Sequence, residues 1–137
     1  MKARARKMTI TIWALSVLLA TIYIHTGTKK VFPDLRGSQD TTVAHFRAWG
    51  YSDDFRVFIG CAEIAGAGGL LVPPVATIAA VALVPIMVGA TYNHIVHGDS
   101  SGKTMVPIIV MGLLFFVAYQ RRTALVNFSP MAAAQTG

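Results

Sequence analysis

Charge is scarce in this sequence, and two reactive residue types occur once each. Only 13% of the 137 residues are charged, about half of what a soluble domain carries. Cys61 is the one cysteine and Glu63 the one glutamate. One thiol closes no internal disulfide and Cys-x-x-Cys is absent, which excludes thiol–disulfide relay chemistry and an iron–sulfur cluster held by this chain alone. Cys61 reads as a small residue on a helix face of small residues. The chain also lacks a Gly-x-x-x-x-Gly-Lys-Ser/Thr loop, a His-Glu-x-x-His pair and a nucleophile elbow, so no motif marks a nucleotide site, a metal site or a serine hydrolase. His97, Asp99 and Ser100 stand together in "HGDSSGK", but short turns collect such residues, and a triad is defined by geometry rather than adjacency.

Apolar sequence is abundant. Hydrophobic residues make up 54% of the chain, in long unbroken blocks rather than short alternating runs, and each block approaches the ~20 residues a membrane helix needs. The net charge of +6 follows the same pattern. Basic residues flank the apolar blocks, as the positive-inside rule produces. No basic stripe interleaves with aromatics on a polar face, so the expected partner is the lipid bilayer and not nucleic acid.

Four spans are expected. The basic head "MKARARK" precedes "MTITIWALSVLLATIYIHTG". Such a start could open a secretory signal, but the run continues through Tyr23 and Ile24 without a small-x-small site, so it reads as an uncleaved first span over residues 8–28. The polar stretch 29–54 holds Asp34, Asp40, Asp53 and Asp54. Within it, "TTVAHFRAWGY" sets Val43, Phe46 and Trp49 or Ala48 at helical spacing. That fits either a short amphipathic helix at the interface or a loop, with Trp49 and Tyr51 as aromatic anchors in both cases. The second span covers 55–71 and is closed by "VPP". The third covers 75–95, with a kink expected at Pro85. The fourth covers 104–120, with Pro107 in its first turn and Arg121–Arg122 as its stop.

The chain therefore divides into a basic N-terminus (1–7), a four-span membrane domain (8–122) and a C-terminal tail (123–137) with little structure by composition. Four spans leave both termini on one side. Lys2, Arg4, Arg6, Lys7, Arg121 and Arg122 favour the cytoplasmic side of a bacterial-type inner membrane, although Lys29, Lys30, Arg36, Arg47 and Arg56 weigh the other way. Cys61, Ala65 and Gly69 fall four apart, as do Ala62 and Gly66, and Ala79, Ala82, Gly89 and Ala90 extend the pattern into the third span. Close helix contact is expected on these faces. The short loops make spans two to four antiparallel neighbours, so the expected fold is an all-α transmembrane four-helix bundle of up-down topology.

Glu63 is the conspicuous residue. At ~1.5 Å per residue it stands ~12 Å along the second span from Phe55, where an exposed charge costs a few kcal/mol. It must face a partner inside the bundle or be protonated. Lys29, Lys30, Tyr23 and His25 end the first span on the same side, and Thr91, Tyr92, Asn93 and His94 end the third. The expected site is a polar pocket opening to the outer face with Glu63 at its floor and Lys30, His25, Asn93 and His94 around it. It suits a polar head group such as that of a quinone, or a step in a proton relay. Equally, Glu63 with a lysine or histidine could simply fix helix register. Two histidines are too little to indicate haem, which is not expected, and no covalently bound cofactor is expected either.

Five stretches carry a resemblance: "GTKKVF" at 27–32, "AWGY" at 48–51, "IGCAEIAGAGGLLVP" at 59–73, "MVGATYNHIVHGD" at 87–99 and "YQRR" at 119–122. In order and spacing, over roughly residues 10–122, they resemble the DoxX-like family of small four-helix membrane proteins. The block from Gly60 and Glu63 to Pro73 is its most specific part. Matching the family's Gly-x-x-Lys to Gly27 and Lys30 makes Lys30 the family lysine. The third-span pattern Ala-x-x-His falls on Ala90 with Asn93 or His94. The resemblance implies a four-helix integral membrane protein. The family takes its name from a subunit of a thiosulfate:quinone oxidoreductase, and other members look like accessory subunits of redox complexes.

Two functions are thus expected. The first is a quinone-associated accessory subunit of a redox-linked membrane complex, with catalytic cofactors on a partner, rather than a stand-alone enzyme. The second is a structural or assembly subunit, bound to other membrane proteins or to copies of itself, without ligand chemistry. A transporter is disfavoured because no inverted repeat or pair of broken helices is visible.

Overall fold

The structure, a computed structural model, describes residues 2–36 and 41–127. Among these the regular structure is entirely helical: α1 (Lys2–Val31), a 3-10 turn (Pro33–Arg36), α2 (Thr41–Ala48), α3 (Asp53–Leu70), α4 (Ala76–Val96) and α5 (Ser101–Asn127). Segments long and apolar enough to cross a membrane occur in three of the helices, Arg6–Val31, Ala76–Val96 and Ser101–Thr123.

Four spans were expected, and three helices among the described residues meet the requirement by length and composition. The second expected span is a helix, but its 18 residues carry Asp53, Asp54, Arg56 and Glu63. Three of those charges crowd its first turn. There the Ser52 hydroxyl caps the helix by accepting from the Phe55 N–H at 3.2 Å, and the two aspartates complement the helix dipole. α5 also differs from expectation. It begins at Ser101, so Pro107 lies beyond the first turn. It runs through Arg121–Arg122 to Asn127 instead of stopping there, so the first five residues of the expected tail are helical, while 128–137 lie outside the described residues.

α3 lies between α1 and α4, and α4 packs along α5. The α1–α3 seam is set by two glycines. A Cβ on Gly27 would fall 2.7 Å from the Gly60 carbonyl oxygen, and one on Gly60 would fall 2.9 Å from the Gly27 carbonyl oxygen. On the α4 side, Gly66 abuts Leu83 and Gly69 abuts Ala79. The buried stripe of α3 is therefore Arg56, Gly60, Glu63, Ala67 and Leu70. Cys61 and Ala65, expected in a packing seam, are exposed, as is Ala82. Leu19, Tyr23, Leu83, Leu114 and Val117 fill the core between the helices.

Two glycines shape the ends of α2 and α4. Gly50 (φ 80°) and Gly98 (φ 67°) adopt the left-handed conformation. Each closes a Schellman turn: Tyr51 N–H donates to the Phe46 carbonyl at 2.9 Å, and Asp99 N–H to the His94 carbonyl at 3.0 Å. These turns swing Tyr51 and Asp99 back over the helices they follow.

Candidate functional site

The Gly27–Gly60 approach brings the residues three further on, Lys30 and Glu63, within reach of one another. Lys30 Nζ lies 2.7 Å from Glu63 Oε2, and Thr26 Oγ1 donates to the same oxygen at 3.1 Å. Glu63 is 2% exposed. Both donors therefore meet the same carboxylate oxygen. Arg56, also buried, donates from Nη1 to the Lys30 carbonyl and from Nε to Asp53 Oδ1 at 3.3 Å. It thereby satisfies a carbonyl at the negative end of α1.

A second polar group forms where α4 ends. Buried Asn93 donates from Nδ2 to Tyr51 Oη at 3.1 Å and to the Gly89 carbonyl at 2.8 Å. His94 Nδ1 lies 2.9 Å from Asp99 Oδ2, and Lys103 Nζ lies 3.2 Å from Asp99 Oδ1. The hydrogen bond from His94, and then that from Lys103, hold the Asp99 carboxyl below the usual carboxylate range. Trp49 meets the His94 ring edge-on at 5.3 Å between centroids and lies 5.9 Å from that of His97. On the far side of α2, Arg47 donates to Asp53 at 2.9 Å and lowers that carboxyl likewise.

Between these groups lies a cavity of about 480 Å³. Lys30, Glu63, Thr26 and Tyr23 form one polar wall; Asn93, His94, Tyr51, Trp49 and Lys103 form another. Thr42 and His45 also line it, and the rest is apolar, including Ile22, Phe46, Ile59, Ile86, Met87, Val106 and Val110. An apolar chamber with a few converging polar groups is the usual form of a small-molecule site. Tyr23 is 1% exposed, and its buried hydroxyl has no hydrogen-bond partner among the described residues.

Of the five residues expected around this site, Glu63, Lys30, Asn93 and His94 line the cavity. His25 is exposed on α1 and is not part of the lining. Helical periodicity explains this: His25 is two residues from the lining residue Tyr23, on a different face. Thr26 and Arg56 were not foreseen, and Trp49 and Tyr51, expected as interfacial anchors, turn into the site. The signal for these two was Gly50, which ends α2 and folds Tyr51 back. Among the described residues, no group of three or more His, Cys, Asp or Glu side chains is placed to hold a metal ion.

The model of the DoxX-like family matches residues 14–117. The chain belongs to the DoxX-like family. The match takes in every cavity residue named above, and no curated protein and no solved structure matches the chain. With three apolar helices of spanning length, this DoxX-like protein is an integral membrane protein in contact with the lipid bilayer.

Proposed function

We propose that this DoxX-like protein holds a quinone-class lipid in the cavity around Glu63 and serves as a non-catalytic, accessory subunit of a redox-linked membrane complex. The observation that carries the reading is the largely apolar cavity with the Glu63 carboxylate and the unpartnered Tyr23 hydroxyl in its lining. An apolar ring or chain suits the walls. A carbonyl oxygen suits the Tyr23 hydroxyl, and a ring hydroxyl of the reduced form suits the carboxylate. The chain's single cysteine leaves electron-carrying clusters to a partner.

In this reading α3 stands in the membrane as the fourth member of an up-down bundle, with both termini on the cytoplasmic side of a bacterial-type inner membrane. Supporting it, α3 is flanked by α1 and α4, and its interior charges are met within the protein, Glu63 by Lys30 and Arg56 by Asp53 and a backbone carbonyl. A purely structural subunit is the second reading. It is favoured by the completeness of the Lys30–Glu63 contact, since a buried ion pair can serve only to fix register. Mild-detergent purification with mass spectrometry of proteins and lipids tests both. A stoichiometric complex retaining quinone supports the first, and a complex without quinone, whose assembly fails when the chain is deleted, supports the second.

A further inference from the structure

Arg121 lies at the opposite end of the molecule from the cavity and takes no part in it. It is 6% exposed. Its Nη2 donates to Ser16 Oγ at 3.3 Å, and its guanidinium carbon sits 4.6 Å from the centroid of the Trp13 ring. Its Nε is buried without a hydrogen-bond partner among the described residues. The neighbouring Gln120 touches Met8, whereas Arg121 reaches Trp13 and Ser16, about 7 and 12 Å further along α1. Near a membrane face an arginine ordinarily extends toward water. This one turns inward.

No carboxylate among the described residues meets it. The six acids of the chain are Asp34, Asp40, Asp53, Asp54, Glu63 and Asp99. None lies in residues 1–33, between Glu63 and Asp99, or beyond Asp99. Glu63 is already paired with Lys30, and Asp99 with His94 and Lys103. The helix ends around Arg121 carry only cations, among them exposed Arg6, Lys7 and Arg122. Arg122 is occupied on its own helix, stacked on Tyr119 and donating to the Tyr119 carbonyl. A buried guanidinium with a ring face and one neutral hydroxyl is undercompensated, because burying a charge is costly unless an opposite charge meets it. α1 also meets α5 over a far shorter seam than it meets α3.

We infer that Arg121, with Ser16 and Trp13, forms a phosphate-binding site in the α1–α5 seam, independent of the cavity around Glu63. The guanidinium fork matches two phosphate oxygens, Nε–H being one of the two donors in that fork. The surrounding cations raise the local concentration of anions. The phosphate belongs to a phospholipid head group drawn into the seam or to a free phosphate ion.

The test uses the detergent-purified full chain as wild type, Arg121→Gln, Arg121→Lys and Arg122→Gln. Thermal stability is followed during titration with phosphatidylglycerol, phosphatidylcholine or inorganic phosphate, and bound lipid is counted by native mass spectrometry. The expected result is saturable stabilisation of the wild type, weakened about tenfold in Arg121→Gln, as loss of a charged hydrogen-bonding group predicts, and little changed in Arg122→Gln. Stabilisation by phospholipid but not by inorganic phosphate assigns the head group; stabilisation by inorganic phosphate alone assigns the free ion. Should Arg121→Gln fail to fold, Arg121→Lys, which keeps the charge but loses the fork, still has to weaken binding. No saturable stabilisation, or equal binding by wild type and both Arg121 variants, or an equal loss in Arg122→Gln, overturns the assignment.

Discussion

Lys30 on α1 and Glu63 on α3 make a 2.7 Å contact, although 33 residues separate them in the chain. The contact depends on the absence of side chains one turn away, at Gly27 and Gly60. Each of the two charged residues follows its glycine by three positions. The close approach and the ion pair are thus one feature of the α1–α3 seam.

Removing one member of that pair leaves a buried charge without a partner. Lys30→Met is expected to destabilise the protein by about 3–5 kcal/mol. The double variant Lys30→Met/Glu63→Gln should recover much of that loss. Thermal or denaturant unfolding in detergent, followed by circular dichroism, reads both effects.

A methyl group at Gly27 has nowhere to go, since backbone lies 2.7 Å from where its Cβ would sit and Ile64 lies 2.8 Å away. Gly27→Ala should cost about 1–3 kcal/mol, the range for overpacking. Gly68→Ala has open space around the new atom and should be neutral or stabilising by up to about 1 kcal/mol, the helix-propensity difference. Comparing the two melting temperatures separates the seam from a general dislike of alanine.

The Tyr23 hydroxyl is buried without a partner. A buried unsatisfied group costs about 1–3 kcal/mol, so Tyr23→Phe should melt higher than wild type when empty. If the hydroxyl meets the ligand, the same variant should bind a short-chain quinone more weakly. Melting curves with and without the quinone give both numbers.

Asp99 supplies one part of the pH dependence. Its folded-state carboxyl titrates below its unfolded value because His94 and Lys103 hold it. Its contribution to stability is therefore full above about pH 4, the unfolded carboxylate range, and is lost as pH falls through the lower folded value. Asp99→Asn should be less stable than wild type at neutral pH, and the difference should vanish in acid. Melting temperature against pH for the two proteins checks this.

Much of the helical layout was legible in the sequence, because apolar blocks of spanning length and the tight "VPP" and "HGD" turns leave little choice. Glu63, Lys30, Asn93 and His94 were legible because a polar residue among apolar ones is costly unless it has a task or a partner. What was not legible depended on three-dimensional phase. Small residues lie all round α3, so their four-residue spacing pointed to Cys61 and Ala65, whereas the seam follows Gly60, Glu63 and Ala67. The inward turn of Trp49 and Tyr51 depends on a Schellman turn at Gly50 and on rings stacking across two chain segments. Arg121 read as a stop signal because arginines end most spans; its inward reach to Ser16 involves a contact 105 residues away.

The central claim is that the cavity around Glu63 takes a quinone-class ligand. Trp49 lines that cavity, and Trp13 is the only other tryptophan. In a Trp13→Phe background, titration with a short-chain quinone can therefore be followed by Trp49 fluorescence alone. The account predicts saturable quenching that weakens about tenfold when Glu63→Gln is added, the loss expected for a charged hydrogen-bond acceptor. Linear, unsaturable quenching that is the same with and without Glu63 would contradict it.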